Sequence, residues 1–195
     1  VKLGYKIMQV GEIDCVKAVF FCNFKLFASW DELSLKGCSA ERAESLLCLS
    51  KKDIGSRLSV TVPMHWDRQG LFDPDLLITN AVELTVNQFA QKVAKIKTGN
   101  VKWSQACSGY LRMAIGDRLR VFPFDHHELR ICVRPSSLEL SRLQLVLWKD
   151  NRATEAQEES NEWQLVGHRA DVLQTLPESS STGKVYSEFH CVVMV

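Results

Sequence analysis

The sequence has no apolar run long enough to cross a bilayer, and it carries little net charge. A membrane-spanning helix needs about 18 or more consecutive apolar residues, and the chain contains no such run. The formal net charge of +1 argues against a nucleic-acid partner held by bulk electrostatics. The chain has 195 residues, 46% of them apolar, which is enough to bury one core. We therefore expect a single domain over residues 1–195.

Paired cysteine spacings, phosphate-binding glycine loops and nucleophile-elbow motifs are also missing. The seven cysteines are Cys15, Cys22, Cys38, Cys48, Cys107, Cys132 and Cys191. They are too scattered for a zinc site, and several lie in apolar segments where cysteine packs as a small hydrophobe. In DHHE (125–128), neighbouring histidines on a strand would point to opposite faces and would not converge on one ion. We expect no enzyme activity, no cofactor and no metal site.

Period-two alternation of apolar residues dominates what the sequence does contain, and it predicts β-strands. The segments VFFCNFKLFASW (19–30), LRICVRP (129–135), RLQLVLWKD (142–150) and KVYSEFHCVVMV (184–195) all show it. Turn residues in KTGN and PESSSTG separate such segments. The exception is a short helix expected near residues 39–49, with Ser39 as its N-cap. The pattern predicts an all-β, many-stranded antiparallel sandwich with one helical insertion.

Six segments, taken in order, resemble landmarks of the extracellular domain of pentameric ligand-gated ion channels. They are FASWDEL (27–33), LFDPDLLITNAVE (71–83), GNVKWSQACSGYLRM (99–113), FPFD (122–125), NEWQLVG (161–167) and VYSEFHCVVMV (185–195). Within the second segment Pro74, Asp75 and Asn80 match the family pattern, and Phe72 stands in the place of a tryptophan. Trp103 matches the tryptophan of the third segment.

The FPFD loop lacks the disulfide that closes it in the animal receptors of this family. Ile115 and Leu129 stand where those receptors have cysteines. The chain therefore resembles the type without the loop disulfide, in which apolar packing replaces the bridge. Neither Cys107 nor Cys132 stands at a matching place.

The resemblance implies a curled, immunoglobulin-like β-sandwich of about ten strands. Five identical or related subunits would form a ring through head-to-tail interfaces, with a small-molecule ligand bound between them. The domain would lie on the extracellular or periplasmic face of the cell membrane and act on its own transmembrane domain, whose first helix the family places just after Val195. The alternatives are a soluble pentameric binding protein without a pore and a monomeric β-sandwich adhesion module.

The resemblance also implies which residues couple ligand binding to the pore. In the FPFD loop, Phe122 and Phe124 would press toward the membrane domain on either side of Pro123, and Asp125 would join a salt-bridge cluster. Asp14, in the turn between the first two strands, matches the other coupling acid. The alternatives are core packing at a bend for the two phenylalanines and a local turn cap for Asp125.

The predicted ligand site lacks most of the aromatic box with which amine receptors of this family bind their ligands. Thr79 and Ser136, with Ser137 beside it, occupy two of the aromatic places, and Tyr186 matches a tyrosine. Lys25 stands at a tryptophan place on the complementary face. Hydroxyls and an ammonium group suit a small polar or acidic ligand. Protons are the other candidate activator, because the histidine pair of DHHE follows the proposed coupling acid.

Overall fold

The described part of the chain contains twelve β-strands, one α-helix and two short 3-10 helices, Leu33–Leu35 and Pro177–Ser179. The structure, a computed structural model, describes residues 1–47, 60–62, 70–86, 91–114, 127–148, 154–156, 166–180 and 182–195. The strands are β1 (Lys2–Asp14), β2 (Val19–Asp31), β3 (Val60–Val62), β4 (Leu76–Ile78), β5 (Ala81–Val86), β6 (Gln91–Lys95), β7 (Asn100–Arg112), β8 (Glu128–Pro135), β9 (Val146–Leu147), β10 (Thr154–Ala156), β11 (Gly167–Gln174) and β12 (Ser187–Met194). The helix α1 spans Ala40–Leu47.

The strands form two sheets that pack as a sandwich. In the large sheet the order is β10-β1-β2-β7-β6-β3, with β5 also paired to β7 and β9 to β1. In the small sheet the order is β11-β12-β8-β4. Most pairs are antiparallel, but β9 and β10 both run parallel to β1. The all-β sandwich expected from the sequence is confirmed, with twelve described strands where about ten were expected.

The core lies between the two sheets and is built from alternate residues of each strand. On β2 every second residue from Phe20 to Ala28 is buried. On β8 and β12 the same alternation buries Ile131 and Phe189, which join one continuous apolar cluster with the large sheet. Each such side chain contributes about 1.5–3 kcal/mol by leaving water. The strands predicted in 19–30, 129–135 and 184–195 are therefore confirmed, whereas in 142–148, the described part of 142–150, only Val146–Leu147 is strand.

The helical insertion is also confirmed, and its start follows the sequence. Ser39 caps α1, because its Oγ accepts a hydrogen bond from the backbone N–H of Arg42 at 3.3 Å. The helix has eight residues and buries Ala43 and Leu47. No helix in the described ranges is both long and apolar enough to cross a membrane.

Three of the segments that carry the family resemblance meet at one end of β2. The ring of Trp30 meets that of Phe72 edge to face, with centroids 6.3 Å apart. The buried carboxylate of Glu32 accepts the backbone N–H of Phe72 at 2.9 Å. Gly99 supplies the turn before β7 with a φ of +72°, where a Cβ atom would lie only 2.6 Å from the Glu32 carbonyl oxygen.

Two polar contacts join the sheets across this core. The hydroxyl of Tyr5, on β1, lies 2.7 Å from Nδ1 of His168, on β11. The side-chain amide of Asn80 bridges β7 and β8. Its Nδ2 donates to the carbonyl oxygens of Arg112 (3.0 Å) and Arg130 (2.6 Å), and its Oδ1 accepts the N–H of Cys132 at 3.0 Å. Asn80 therefore fixes the separation of the two sheets where the chain crosses from β4 to β5.

We expect Asn80→Ala to lower the free energy of unfolding by about 3 kcal/mol, because three backbone groups lose their partner together. Urea unfolding followed by tryptophan fluorescence measures this loss. The control is Gln174→Ala at an exposed position of β11, which should change the free energy by less than about 0.5 kcal/mol. Similar losses for the two variants would contradict the bridging role of Asn80.

Candidate functional site

The predicted ligand residues are distributed over both sheets. Thr79, which follows β4, is exposed, and Tyr186, which precedes β12, is 7% exposed. Ser136 and Ser137 follow β8 and are exposed, and the N–H of Ser136 donates to the Asp75 carbonyl oxygen at 2.8 Å. Lys25 is half-buried on β2 of the large sheet, with its Nζ 5.5 Å from the centre of the Phe27 ring.

Two residues that the sequence analysis missed, Arg134 and Glu188, connect Thr79 with Tyr186. The Arg134 guanidinium lies 4.6 Å from the centre of the Tyr186 ring, a cation–π contact. The Thr79 hydroxyl donates to Oε1 of Glu188 at 2.9 Å. Arg134 and Glu188 attract each other electrostatically, since β8 and β12 are neighbours in the small sheet. The structure therefore gathers Thr79, Arg134, Tyr186 and Glu188 on one face of that sheet.

His190 extends this group toward β8. Its Nε2 lies 2.9 Å from Oε2 of Glu188, and it pairs directly across the sheet with Cys132. The hydrogen bond with Cys132 and the one with Glu188 raise the pKa of His190 to about 9, although partial burial opposes the shift. The hydrogen bond from His190 in turn lowers the pKa of Glu188. At neutral pH these two side chains are therefore an ion pair.

An open cleft of about 440 Å³ lies beside this pair. The polar side chains that line it are Thr79, Asn80, Arg112, Arg130, Cys132 and His190. With His190 protonated, three of the six are cationic. Arg130 is paired with Glu128 at 3.1 Å, whereas Arg112 makes no side-chain ion pair within the part of the chain that the structure describes. Such a lining suits the carboxylate of a small ligand. Among the described residues, no group of His, Cys, Asp or Glu is arranged to hold a metal ion.

Asp14, the predicted coupling acid on the first turn, is engaged in its own turn. Its Oδ1 accepts the backbone N–H groups of Val16 (3.0 Å) and Lys17 (2.9 Å), and its Oδ2 pairs with Lys17 Nζ at 3.1 Å. The backbone hydrogen bond from Lys17 is the largest cause that lowers the pKa of Asp14. The carboxylate thus caps a turn in which Ala18 adopts a positive φ of 54°.

The other predicted coupling residues, Phe122, Pro123, Phe124 and Asp125, lie outside the described residues. The described residues that flank their segment can be located. Met113 donates its N–H to the Ala18 carbonyl oxygen at 2.8 Å, beside the β1–β2 turn. His127 forms two backbone hydrogen bonds with Val195, at 3.0 and 3.2 Å. Met113, on one flank, therefore lies against the turn that carries Asp14, and His127, on the other flank, lies beside Val195.

A second cleft, of about 330 Å³, lies beside the turn that carries Asp14, between β1, β2, β5 and β7. Its lining includes Asp14, Glu12 and Tyr110, and Arg112 lines it as well as the larger cleft. The Tyr110 hydroxyl donates to Glu12 Oε2 at 2.8 Å, and this bond raises the pKa of Tyr110. Arg112 is therefore the side chain common to the two clefts.

We expect the free energy of unfolding to depend on pH through His190. Its pKa is raised from 6.5 to about 9 in the folded chain, so its contribution is complete below about pH 6.5 and is lost as the pH rises through about 9. Urea unfolding of the native chain and of His190→Gln between about pH 5 and 10 tests this. The stability difference should be constant below about pH 6 and shrink above it. A difference that stays constant to pH 10 would refute the assignment.

In comparisons with known proteins, no protein-family model matches the chain, and no curated protein matches it. The chemistry of the site therefore rests on its geometry. The open cleft offers two guanidinium groups, Arg112 from the large sheet and Arg130 from the small one, together with a protonated imidazole and a hydroxyl. Such a surface can bind a small acidic molecule through charge-assisted hydrogen bonds.

Proposed function

We propose that the chain is the ligand-sensing extracellular domain of a pentameric ligand-gated ion channel, of the type without the loop disulfide. The observation that carries the proposal is that β8 and β12 connect two distinct places in one sandwich. The contact between Arg134 and Tyr186 lies at one end of their register, and His127 and Val195 lie at the other. Near that second end Asn80 links Arg130 with Arg112, whose neighbour Met113 contacts the turn that holds Asp14. Such an arrangement suits a module that receives a ligand at one place and acts on a pore at another.

The strands of the small sheet link these two ends. From His127 and Val195, β8 and β12 run side by side, in register from Glu128 opposite Met194 to Val133 opposite Phe189. Beyond that register they lead to Arg134 and Tyr186. A displacement of the hairpin between β11 and β12 would therefore be carried along β12 to the neighbourhood of His127. Packed sheets transmit such displacements because their interiors have low compressibility.

The ligand that this domain would sense is small and acidic. Of the expected residues, Thr79 and Tyr186 lie on the small-sheet face together with Arg134. Tyr186 already stacks on a guanidinium group, so it is not available as part of a cage for a quaternary amine. A carboxylate bound by Arg134 would compete with Glu188 and alter the contact between β12 and Thr79. Lys25, on the large sheet, would contribute from the adjacent subunit.

We expect the purified chain to assemble into rings of five. Light scattering coupled to gel filtration, over protein concentrations from about 1 to 300 µM, should show a species five times the mass of the 22.1 kDa chain. Negative-stain images of that species should show five-fold rings. A chain that remains at 22.1 kDa over the whole range would favour a monomeric adhesion module.

The sequence of the parent transcript distinguishes a channel from a soluble pentameric binding protein, which would form the same ring. A channel subunit requires, after Val195, four apolar stretches of roughly 20 residues, each long enough to cross the bilayer. A stop codon within a few residues of Val195 would favour the soluble protein.

A further inference from the structure

Cys132 differs in its surroundings from the other described cysteines. Three of the six, Cys22, Cys107 and Cys191, are buried, and burial raises the pKa of each thiol, which makes it a poor nucleophile. Cys15, Cys38 and Cys132 are half-buried. Among the described cysteines, Cys132 alone lines the larger cleft, and it stands directly opposite a histidine, His190, in the small sheet.

The side chains around Cys132 form a chain of hydrogen bonds. Cys132 interacts with His190, His190 is held by one oxygen of Glu188, and Thr79 donates to the other oxygen. A thiol beside an imidazole that a carboxylate orients is the arrangement that activates cysteine nucleophiles.

The cleft also selects the charge of a reagent that approaches Cys132. Arg112 and Arg130 line it together with the thiol, and the guanidinium of Arg112 has no ion-pair partner within the described residues. A guanidinium group binds carboxylates in bidentate fashion and repels ammonium groups. The charged and titratable groups around His190 are Glu188, Cys132, Arg130, Arg134, Asp171, Arg169 and, across the cleft, Arg112.

We propose that Cys132 is a site of reversible covalent modification by small disulfides that carry carboxylate groups. The Cys132 thiolate attacks one sulfur of the disulfide, a new S–S bond forms as the original one breaks, and the departing thiolate takes the proton held by His190. The incoming disulfide is the only oxidant that the step consumes. The modification requires neither a ring of subunits nor a pore.

The test compares two disulfides of similar size and opposite charge, dithiodipropionate and cystamine. Modification of each cysteine in the native chain is followed at about pH 7 by peptide mass mapping, with Cys15 as the half-buried reference in the same molecule. With dithiodipropionate, Cys132 should react about ten-fold faster than Cys15. Rates at Cys132 no faster than those at Cys15 would overturn the proposal.

Charge selection is tested with Arg112→Gln. The rate at Cys132 is divided by the rate at Cys15 for each of the two disulfides. The ratio of this relative rate with dithiodipropionate to that with cystamine, called the preference of Cys132, should fall several-fold in this variant. Arg142→Gln, which changes an exposed arginine outside the cleft lining, is the matched control and should leave the preference unchanged. An unchanged preference in Arg112→Gln would overturn the proposed selection for carboxylates.

The role of His190 is tested by alkylation with iodoacetamide at about pH 7. In the native chain Cys132 should react faster than Cys15, and in His190→Gln its rate relative to Cys15 should fall about ten-fold. If that variant does not fold, Glu188→Gln, which removes the carboxylate that holds His190, takes its place. A Cys132 rate that is unchanged relative to Cys15 would overturn the proposal.

Discussion

The hydrogen bonds of one side-chain amide hold together the part of the structure on which the candidate function depends. Asn80 binds a carbonyl oxygen of β7 and both a carbonyl oxygen and an N–H group of β8, so it connects the large and the small sheet. Those backbone groups belong to Arg112, Arg130 and Cys132, whose side chains line the larger cleft. Because a half-buried amide with three good partners is costly to rearrange, the cleft has a fixed width at this point. Its cationic groups are therefore preorganised for a ligand.

Alternation in the sequence predicted β2, β8 and β12, each of which has both a buried face and a neighbour. It fails at 142–148, the described part of 142–150, where Leu143 and Leu145 are buried in alternation but most of the backbone belongs to no strand. There the N–H of Leu145 donates to the Ser187 hydroxyl rather than to a backbone carbonyl. Alternate burial requires only an extended segment against a core, whereas a strand also requires a partner for its backbone. The sequence pattern reports the first condition and carries no information on the second.

The candidate site was predictable in part, for a related reason. The resemblance indicated Thr79 and Tyr186, and the structure places both on the small-sheet face. It gave no indication of Glu188 or His190, although both occupy outward positions of a predicted strand. What brings them into the candidate site is the register that sets His190 opposite Cys132. A shift of one residue would turn these side chains to the core, and single-sequence alternation does not specify which strands pair or in what register.

The turn that carries Asp14 shows how one carboxylate shapes the backbone beyond its own turn. The carboxylate accepts the N–H groups of Val16 and Lys17, and this hydrogen bonding supports a backbone in which Ala18 takes an unfavourable positive φ. In that conformation the Ala18 carbonyl oxygen accepts the N–H of Met113. Loss of the carboxylate would therefore act on Met113 through the backbone. Since Arg112 precedes Met113 and lines both clefts, the same stretch of chain adjoins the cationic cleft and the turn. A ligand that displaces Arg112 would thus act within one residue of the hydrogen bond between Met113 and Ala18.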